Sequence, residues 1–287
     1  MGKLELKVIV NLFDSNISHA LSYNDALEKG RTTKNLTYAQ KEQDFQGVTI
    51  FTDKYISYAH QVSSAHKVAW LMEPRALDPK SYEAVELNID YFDCVFTYDH
   101  ALHKKFPGKA VWLPANGLFV DTETIFSEHI EKTREMSHIY SNKTYLPGHK
   151  LRHEVARVFG DKYDIECYGK GCRPVQLKSD ALSNYRFSIA IENNRDKNYF
   201  TEKILDCFAC RTIPIYWGAP NIFDFFDSDS IITFETLDEL KEIIPTLNEE
   251  LYESKKPSLH KNYLECLKYY DYDKLVYDAL LERGLFA

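Results

Sequence analysis

Runs that are apolar on consecutive residues, with helical patterns between them, recur along the whole chain, and this rhythm most narrows the folds open to it. "LKVIVNLF", "GVTIFTD" (47–53), "HKVAWLM" (66–72), "CVFTYD" (94–99) and "AVWLPA" (110–115) occupy the first half. "SHIYSN" (137–142), "YDIECYG" (163–169), "RFSIAIEN" (186–193), "TIPIYWG" (212–218) and "IITFE" (231–235) repeat the rhythm in the second. A strand with one wet face alternates apolar with polar residues, whereas a strand apolar on both faces is covered on both, as in parallel sheets flanked by helices. The pattern therefore predicts an α/β protein. At 287 residues the chain is long enough for two domains of ordinary size. The polar stretch "DTETIFSEHIEKTREM" (121–136) lacks a strand pattern and marks the junction. The predicted division is a first domain over 1–125, a junction over 126–136, a second domain over 137–257 and a helical tail over 258–287. Such a pair favours a ligand cleft between domains, beyond the carboxyl ends of the strands.

A net charge of −8 argues against broad nucleic-acid binding but leaves room for a local basic site. No run reaches the roughly 18 apolar residues of a membrane span, and the start "MGKLELKVIVNLFDSN" enters a strand pattern with no secretory leader. These features predict a soluble, cytoplasmic protein. Its six scattered cysteines then read as reduced thiols, and the N-x-S/T triplets at Asn16, Asn35 and Asn142 as chance.

Several familiar patterns are missing or misleading. There is no phosphate-cradling G-x-x-x-x-G-K-[ST] and no G-x-G-x-x-G. Cys207 and Cys210 lie inside an apolar helical stretch and read as packing. His149 and His153 lack the glutamate of a zinc peptidase and read as surface residues of a basic helix. "DSD" (227–229) and "DYD" (271–273) read as solvated carboxylates.

The most informative stretch is "YFTEKILDCFACRTIPIYWG" (199–218). Thr201 is placed to cap a helix whose Ile204, Leu205, Phe208 and Ala209 face a sheet. The first turn of a helix offers free N–H groups and partial positive charge, which disfavours a lysine. Lys203 stands there nonetheless, and a cation at that place suits a bound anion such as phosphate. Glu202 beside it can accept hydrogen bonds from hydroxyls. A plain capped helix with a solvated lysine is the competing reading.

"FSIAIENNRDKNYFTEKILDCFACRTIPIYWGAPNI" resembles the signature of glycosyltransferase family 10, the α1,3/4-fucosyltransferases: F-x-x-x-x-E-N, a short loop, Y-x-T-E-K, an apolar helix and P-[VI]-x-x-G. Weaker similarity covers "WLMEPRAL" (70–77), "YSN" (140–142) and "YGKGCR" (168–173). The resemblance implies a GT-B fold of two Rossmann-like domains, GDP-fucose as donor, inversion at the anomeric carbon and no obligatory metal. Lys203 and Arg173 would contact the donor pyrophosphate, Glu202 and Tyr199 the ribose or neighbouring donor groups, and Glu192 and Asn193 would close the strand end beneath the nucleotide. Arg152 takes the place where the family carries a basic residue after S-N; by itself it reads equally well as a surface helix arginine. Inverting transfer also needs a carboxylate to take the acceptor proton. Glu73 is the candidate, although this chain has Glu-Pro-Arg where the family has Glu-Ser-Pro. Asp53, Asp99 and Asp121 are its substitutes.

The acceptor would be a glycan or another hydroxyl compound, selected by first-half loops such as "NISHALSYNDALEKGRTTKNLTYAQ". A different nucleotide sugar, a DNA acceptor, or a non-catalytic nucleotide- or glycan-binding protein are the rival readings. The lack of an anchor and stem points to a microbial or viral origin.

Overall fold

The computed structural model describes residues 8–14 and 36–286. The extreme N-terminal stretch, Asn16, Asn35 and most of the expected acceptor loop lie outside the described residues. In chain order the elements are β1 (Val8–Phe13), β2 (Leu36–Gln40), β3 (Asp44–Thr52), β4 (Ser63–Leu71), α1 (Pro79–Leu87), β5 (Cys94–Thr97), α2 (His100–Lys105), β6 (Ala110–Trp112) and α3 (Thr122–Ile125). There follow β7 (Arg134–Ile139), α4 (Pro147–Phe159), β8 (Glu166–Tyr168), β9 (Tyr185–Ile191), α5 (Glu202–Ala209), β10 (Ile213–Trp217), β11 (Ile232–Thr233), α6 (Leu237–Ile243), α7 (Glu249–Cys266) and α8 (Tyr272–Glu282).

The chain forms two compact units, one of residues 1–116 with 271–287 and one of residues 117–270. In the first, six strands run in the order β2-β1-β3-β4-β5-β6, every described pairing parallel. Side chains of β4 show why its sequence is apolar throughout. Val68 and Trp70 enter a core with Val10, Ile50, Phe96 and the α8 residues Tyr272, Val276 and Leu280. Ala69 and Leu71 point to the other face, against Tyr82 and Val85 of α1. Helices thus cover both faces, as consecutive apolar residues require. β2 was not legible as a strand, because only Leu36 of its five residues is fully buried.

The second unit has five strands in the order β11-β10-β9-β7-β8, again parallel throughout. β9 and β10 lie at its centre, and α5 packs on both of them and on α7. In α5 all residues from Ile204 to Ala209 are buried, Cys207 included, and Cys210 follows them.

These units differ from the division expected from composition. The polar stretch after Asp121 holds a short capped helix, α3, whose Ile125 is buried, and then the start of β7. The tail divides between the units. Tyr263 of α7 donates its hydroxyl to Ile125 O at 3.1 Å, keeping that helix with the second unit. Tyr272 of α8 stacks on Trp70 with ring centroids 5.5 Å apart, placing the last helix in the first. Asp273, expected in solvent, is 2 % exposed and accepts a hydrogen bond from Tyr38.

Candidate active site

The second unit's β9 ends at Ile191, and Glu192 follows as a fully buried carboxylate beneath the first turn of α5. Glu192 Oε1 accepts the Thr201 N–H at 2.8 Å, and Oε2 accepts the Thr201 hydroxyl at 2.7 Å. Two glycines permit the close packing around it. A Cβ on Gly148, at the start of α4, would lie 1.7 Å from Glu192 O. A Cβ on Gly218 would lie 2.2 Å from the Tyr216 hydroxyl and 2.6 Å from Glu192 Cγ. A real side chain at either place would displace backbone or a buried ring.

Thr201 caps α5 as expected, its hydroxyl accepting from Lys203 N. The Lys203 ammonium turns back over the same corner, 2.9 Å from Thr201 Oγ1, 3.1 Å from Glu202 Oε1 and 3.4 Å from Glu192 Oε2. Its three protons therefore have three oxygen neighbours, yet 21 % of the side chain reaches solvent. Burial works to raise the Glu202 carboxyl, but Lys203 and then Lys178 outweigh it and hold it down at about 2. Glu202 is thus an acceptor at any ordinary pH.

Lys178 escaped the sequence reading. Its Nζ lies 2.7 Å from Asp206 Oδ2 and 3.7 Å from Glu202 Oε1. Burial disfavours its charge, but Asp206 and Glu202 more than offset this and keep it protonated. Asp206 has no exposed side-chain surface, and its Oδ1 accepts the N–H groups of Phe119 and Val120. The corner is therefore a network in which Glu192, Glu202 and Asp206 alternate with Lys203 and Lys178.

Arg152 is 5 % exposed and is not a surface arginine. Its Nε donates to Ile191 O at 2.9 Å and its Nη2 to Asn193 Oδ1 at 2.9 Å, so it clamps the end of β9 from α4. Burial lowers its proton affinity. His149 is also buried rather than on the surface; its Nδ1 accepts the Leu146 N–H, and burial followed by the Arg152 charge pushes its imidazole down to about 4. Asn193 O receives the Gly148 N–H, and Tyr199 is 1 % exposed just before the cap. Glu192, Asn193, Arg152, Tyr199, Glu202 and Lys203 are thus brought together.

Arg173 is placed elsewhere in this unit. It lies in the turn after β8, 3.0 Å from Glu166 and with its guanidinium 4.2 Å from the centre of the Tyr168 ring. Over half of its side chain is exposed.

Glu73, in the first unit, follows β4 and is partly buried. Its N–H donates to Asp53 Oδ1 and its carbonyl accepts the Tyr82 hydroxyl. Two of its substitutes are occupied as helix caps: Asp99 accepts the Leu102 N–H at 2.8 Å and Asp121 the Thr124 N–H at 2.8 Å. Asp227 is held by the Ser258 hydroxyl and Lys261. Among the described residues, no three His, Cys, Asp or Glu side chains are grouped as metal ligands, and no helix is long and apolar enough to cross a membrane.

Comparisons with known proteins bear on both units. The family described as glycosyltransferase family 10 (fucosyltransferase), C-terminal region, matches residues 130–279. An α-(1,3)-fucosyltransferase of Helicobacter pylori is 36% identical over 97 residues, which is 32% of this chain and 18% of that protein. The matched part is thus under a fifth of that relative's length. A crystal structure of α1,3-fucosyltransferase with GDP superposes with a TM-score of 0.61 at 16% identity, covering 97% of this chain and 92% of that one. A second, with GDP-fucose, gives a TM-score of 0.54 at 19% identity over 95% of this chain and 90% of that one. Both units therefore have the Rossmann-like architecture of a GT-B fold. With more than half of its residues inside the family match, and Glu192, Asn193, Tyr199, Glu202 and Lys203 among them, the chain belongs to glycosyltransferase family 10, the fucosyltransferase family.

Proposed function

We propose that the protein is a glycosyltransferase that moves L-fucose from GDP-fucose to a hydroxyl of a glycan acceptor, inverting the anomeric carbon without an obligatory metal. The observation that carries this reading is the corner at the start of α5, where the Lys203 ammonium adjoins Glu202 at the helix N-terminus within the family-matched segment. The donor pyrophosphate binds there. Its oxygens replace Glu192, the most distant of the three neighbours of Lys203, while Glu202 and Tyr199 accept or donate hydrogen bonds at the ribose. Arg152, Asn193 and Glu192 keep the strand end rigid beneath the nucleotide, and Arg173 leaves Glu166 to add a second cation to the pyrophosphate.

In the transfer step the fucose C1–O bond to phosphate breaks and its electron pair leaves on GDP. The acceptor oxygen forms the new C1–O bond on the opposite face as its proton passes to the Glu73 carboxylate. Lys203 and the helix N-terminus stabilise the charge that develops on the leaving phosphate.

Screening GDP-, UDP- and other activated sugars for hydrolysis and transfer, with EDTA present, tests this. GDP-fucose should be turned over and the chelator tolerated. Turnover of another donor alone would overturn the fucose assignment, and loss of activity in EDTA the metal-free mechanism. Lys203→Ala should weaken GDP binding, whereas Glu73→Gln should spare binding and abolish transfer; near-normal transfer by the latter would reject Glu73 as the base.

A further inference from the structure

Asp53 stands where β3 ends, and its backbone has the left-handed φ of +40°, which is uncommon for a residue with a side chain. Such a conformation persists only where surrounding contacts hold it. Here the contacts are identifiable. β3 and β4 pair in parallel up to Thr52 opposite Trp70. One residue beyond, the Asp53 carboxylate reaches across to the end of β4. Its Oδ1 accepts the Met72 N–H at 2.9 Å and the Glu73 N–H at 3.2 Å. The side chain thereby continues the ladder after the backbone has turned away. On the other side of the same residue, the Tyr82 hydroxyl of α1 donates to Glu73 O at 2.9 Å. The peptide groups flanking Glu73 are held at both ends, which fixes the point from which its side chain projects.

Resting on the reading of Glu73 as the base, we propose that Asp53 is the positioning residue for Glu73, fixing the peptide that carries it and coupling to its protonation through like charge. Burial, the largest influence, lifts the Asp53 carboxyl to about 7; the two N–H groups lower it, and Glu73 and then Asp78 raise it. The other groups at this site are the Tyr82 hydroxyl from α1, which also meets the Tyr98 hydroxyl, and Arg75, whose guanidinium lies 4.4 Å from the centre of the Tyr82 ring and pairs with Glu86 and Asp99. Lys54, on Asp53's own segment, lies over the Tyr55 ring. Like charge disfavours ionisation of a neighbour, so an ionised Asp53 favours proton uptake by a carboxylate beside it.

Two measurements test this together. Carboxyl-carbon NMR follows the titration of Asp53 in the unaltered protein and in Glu73→Gln. GDP release from GDP-fucose is followed from about pH 5 to about pH 9 in the unaltered protein, Asp53→Asn and Asp53→Gly. Asparagine keeps the acceptor for both N–H groups, and glycine tolerates the positive φ, so both should fold. The expected results are a lower Asp53 midpoint in Glu73→Gln and a rate step near pH 7 that both Asp53 variants lose. Above the step Asp53→Asn should be slower by about tenfold and Asp53→Gly by about a hundredfold, with KM for GDP-fucose unchanged. An unmoved midpoint in Glu73→Gln, or a step retained in Asp53→Asn, overturns the proposal. A shifted Asp53 midpoint with no GDP release by the unaltered protein overturns GDP-fucose turnover instead, and GDP release at a near-normal rate by Glu73→Gln overturns Glu73 as the base, so the failures are distinguishable.

Discussion

Thr201→Val isolates the contribution of one hydroxyl to the corner at the start of α5. The substitution keeps the shape of the side chain and removes an oxygen that donates to Glu192 Oε2 at 2.7 Å and accepts from Lys203 Nζ at 2.9 Å. It also removes the cap, since the same oxygen accepts from Lys203 N at 3.4 Å. Loss of a helix cap costs about 1 kcal/mol. Loss of a hydrogen bond to a buried carboxylate costs about 1.5–3 kcal/mol, because Glu192 cannot turn to water. These contributions overlap, so about 3 kcal/mol is expected in total, or roughly a hundredfold in the opening equilibrium. Thr201→Ser should retain most of the stability. A two-unit chain need not unfold in one step, so amide exchange of β9 and α5 is the suitable assay, with urea unfolding as a check. A loss below about 0.5 kcal/mol for the valine variant, or equal losses for valine and serine, would refute the claim that this hydroxyl joins Glu192 to Lys203.

Two further variants probe other parts of the fold. Burial and the neighbouring Asp271 raise the Asp273 carboxyl to about 7, against the opposing Tyr38 hydrogen bond. The folded state therefore keeps a proton that the unfolded chain releases from about pH 4 upward, and stability falls as pH rises toward 7. Asp273→Asn imitates the protonated form, so its melting temperature relative to the unaltered protein should climb across that window; a constant difference would contradict this. Gly148→Ala should cost about 1–3 kcal/mol in urea unfolding, because its Cβ would meet the backbone carbonyls of Glu192 and Asn193. An unchanged midpoint would mean that α4 can move away from Glu192.

What could be read from the sequence followed from local chemistry. Ten of the strands announced themselves through consecutive apolar residues, and the Thr-Glu-Lys corner through a lysine at a helix start that disfavours one. Lys178 carried no such signal. It lies in the polar stretch "VQLKSD", 24 residues before Glu202, where a solvated lysine is the ordinary expectation, and only the fold brings it to Asp206. Arg152 and His149 look like the wet face of a helix in "GHKLRHEV", yet that face lies on the end of β9, where Ile191 O and Asn193 supply the partners that make burial tolerable. The same holds for Asp273: nothing local foretells that Tyr38, more than 200 residues away, will meet it.

That long-range attachment bears on how the chain is made. The second unit is continuous in sequence, whereas the first is completed only by a segment that follows the whole of the second. The first unit is complete only once the residues from 271 onward are made, since Trp70 waits for Tyr272 and the open face of its sheet for Val276 and Leu280. Until then an apolar sheet surface is uncovered during synthesis. Nascent chains stalled before residue 271 should therefore recruit holdase chaperones to the first unit, and a premature stop there would damage the half of the protein that was synthesised first.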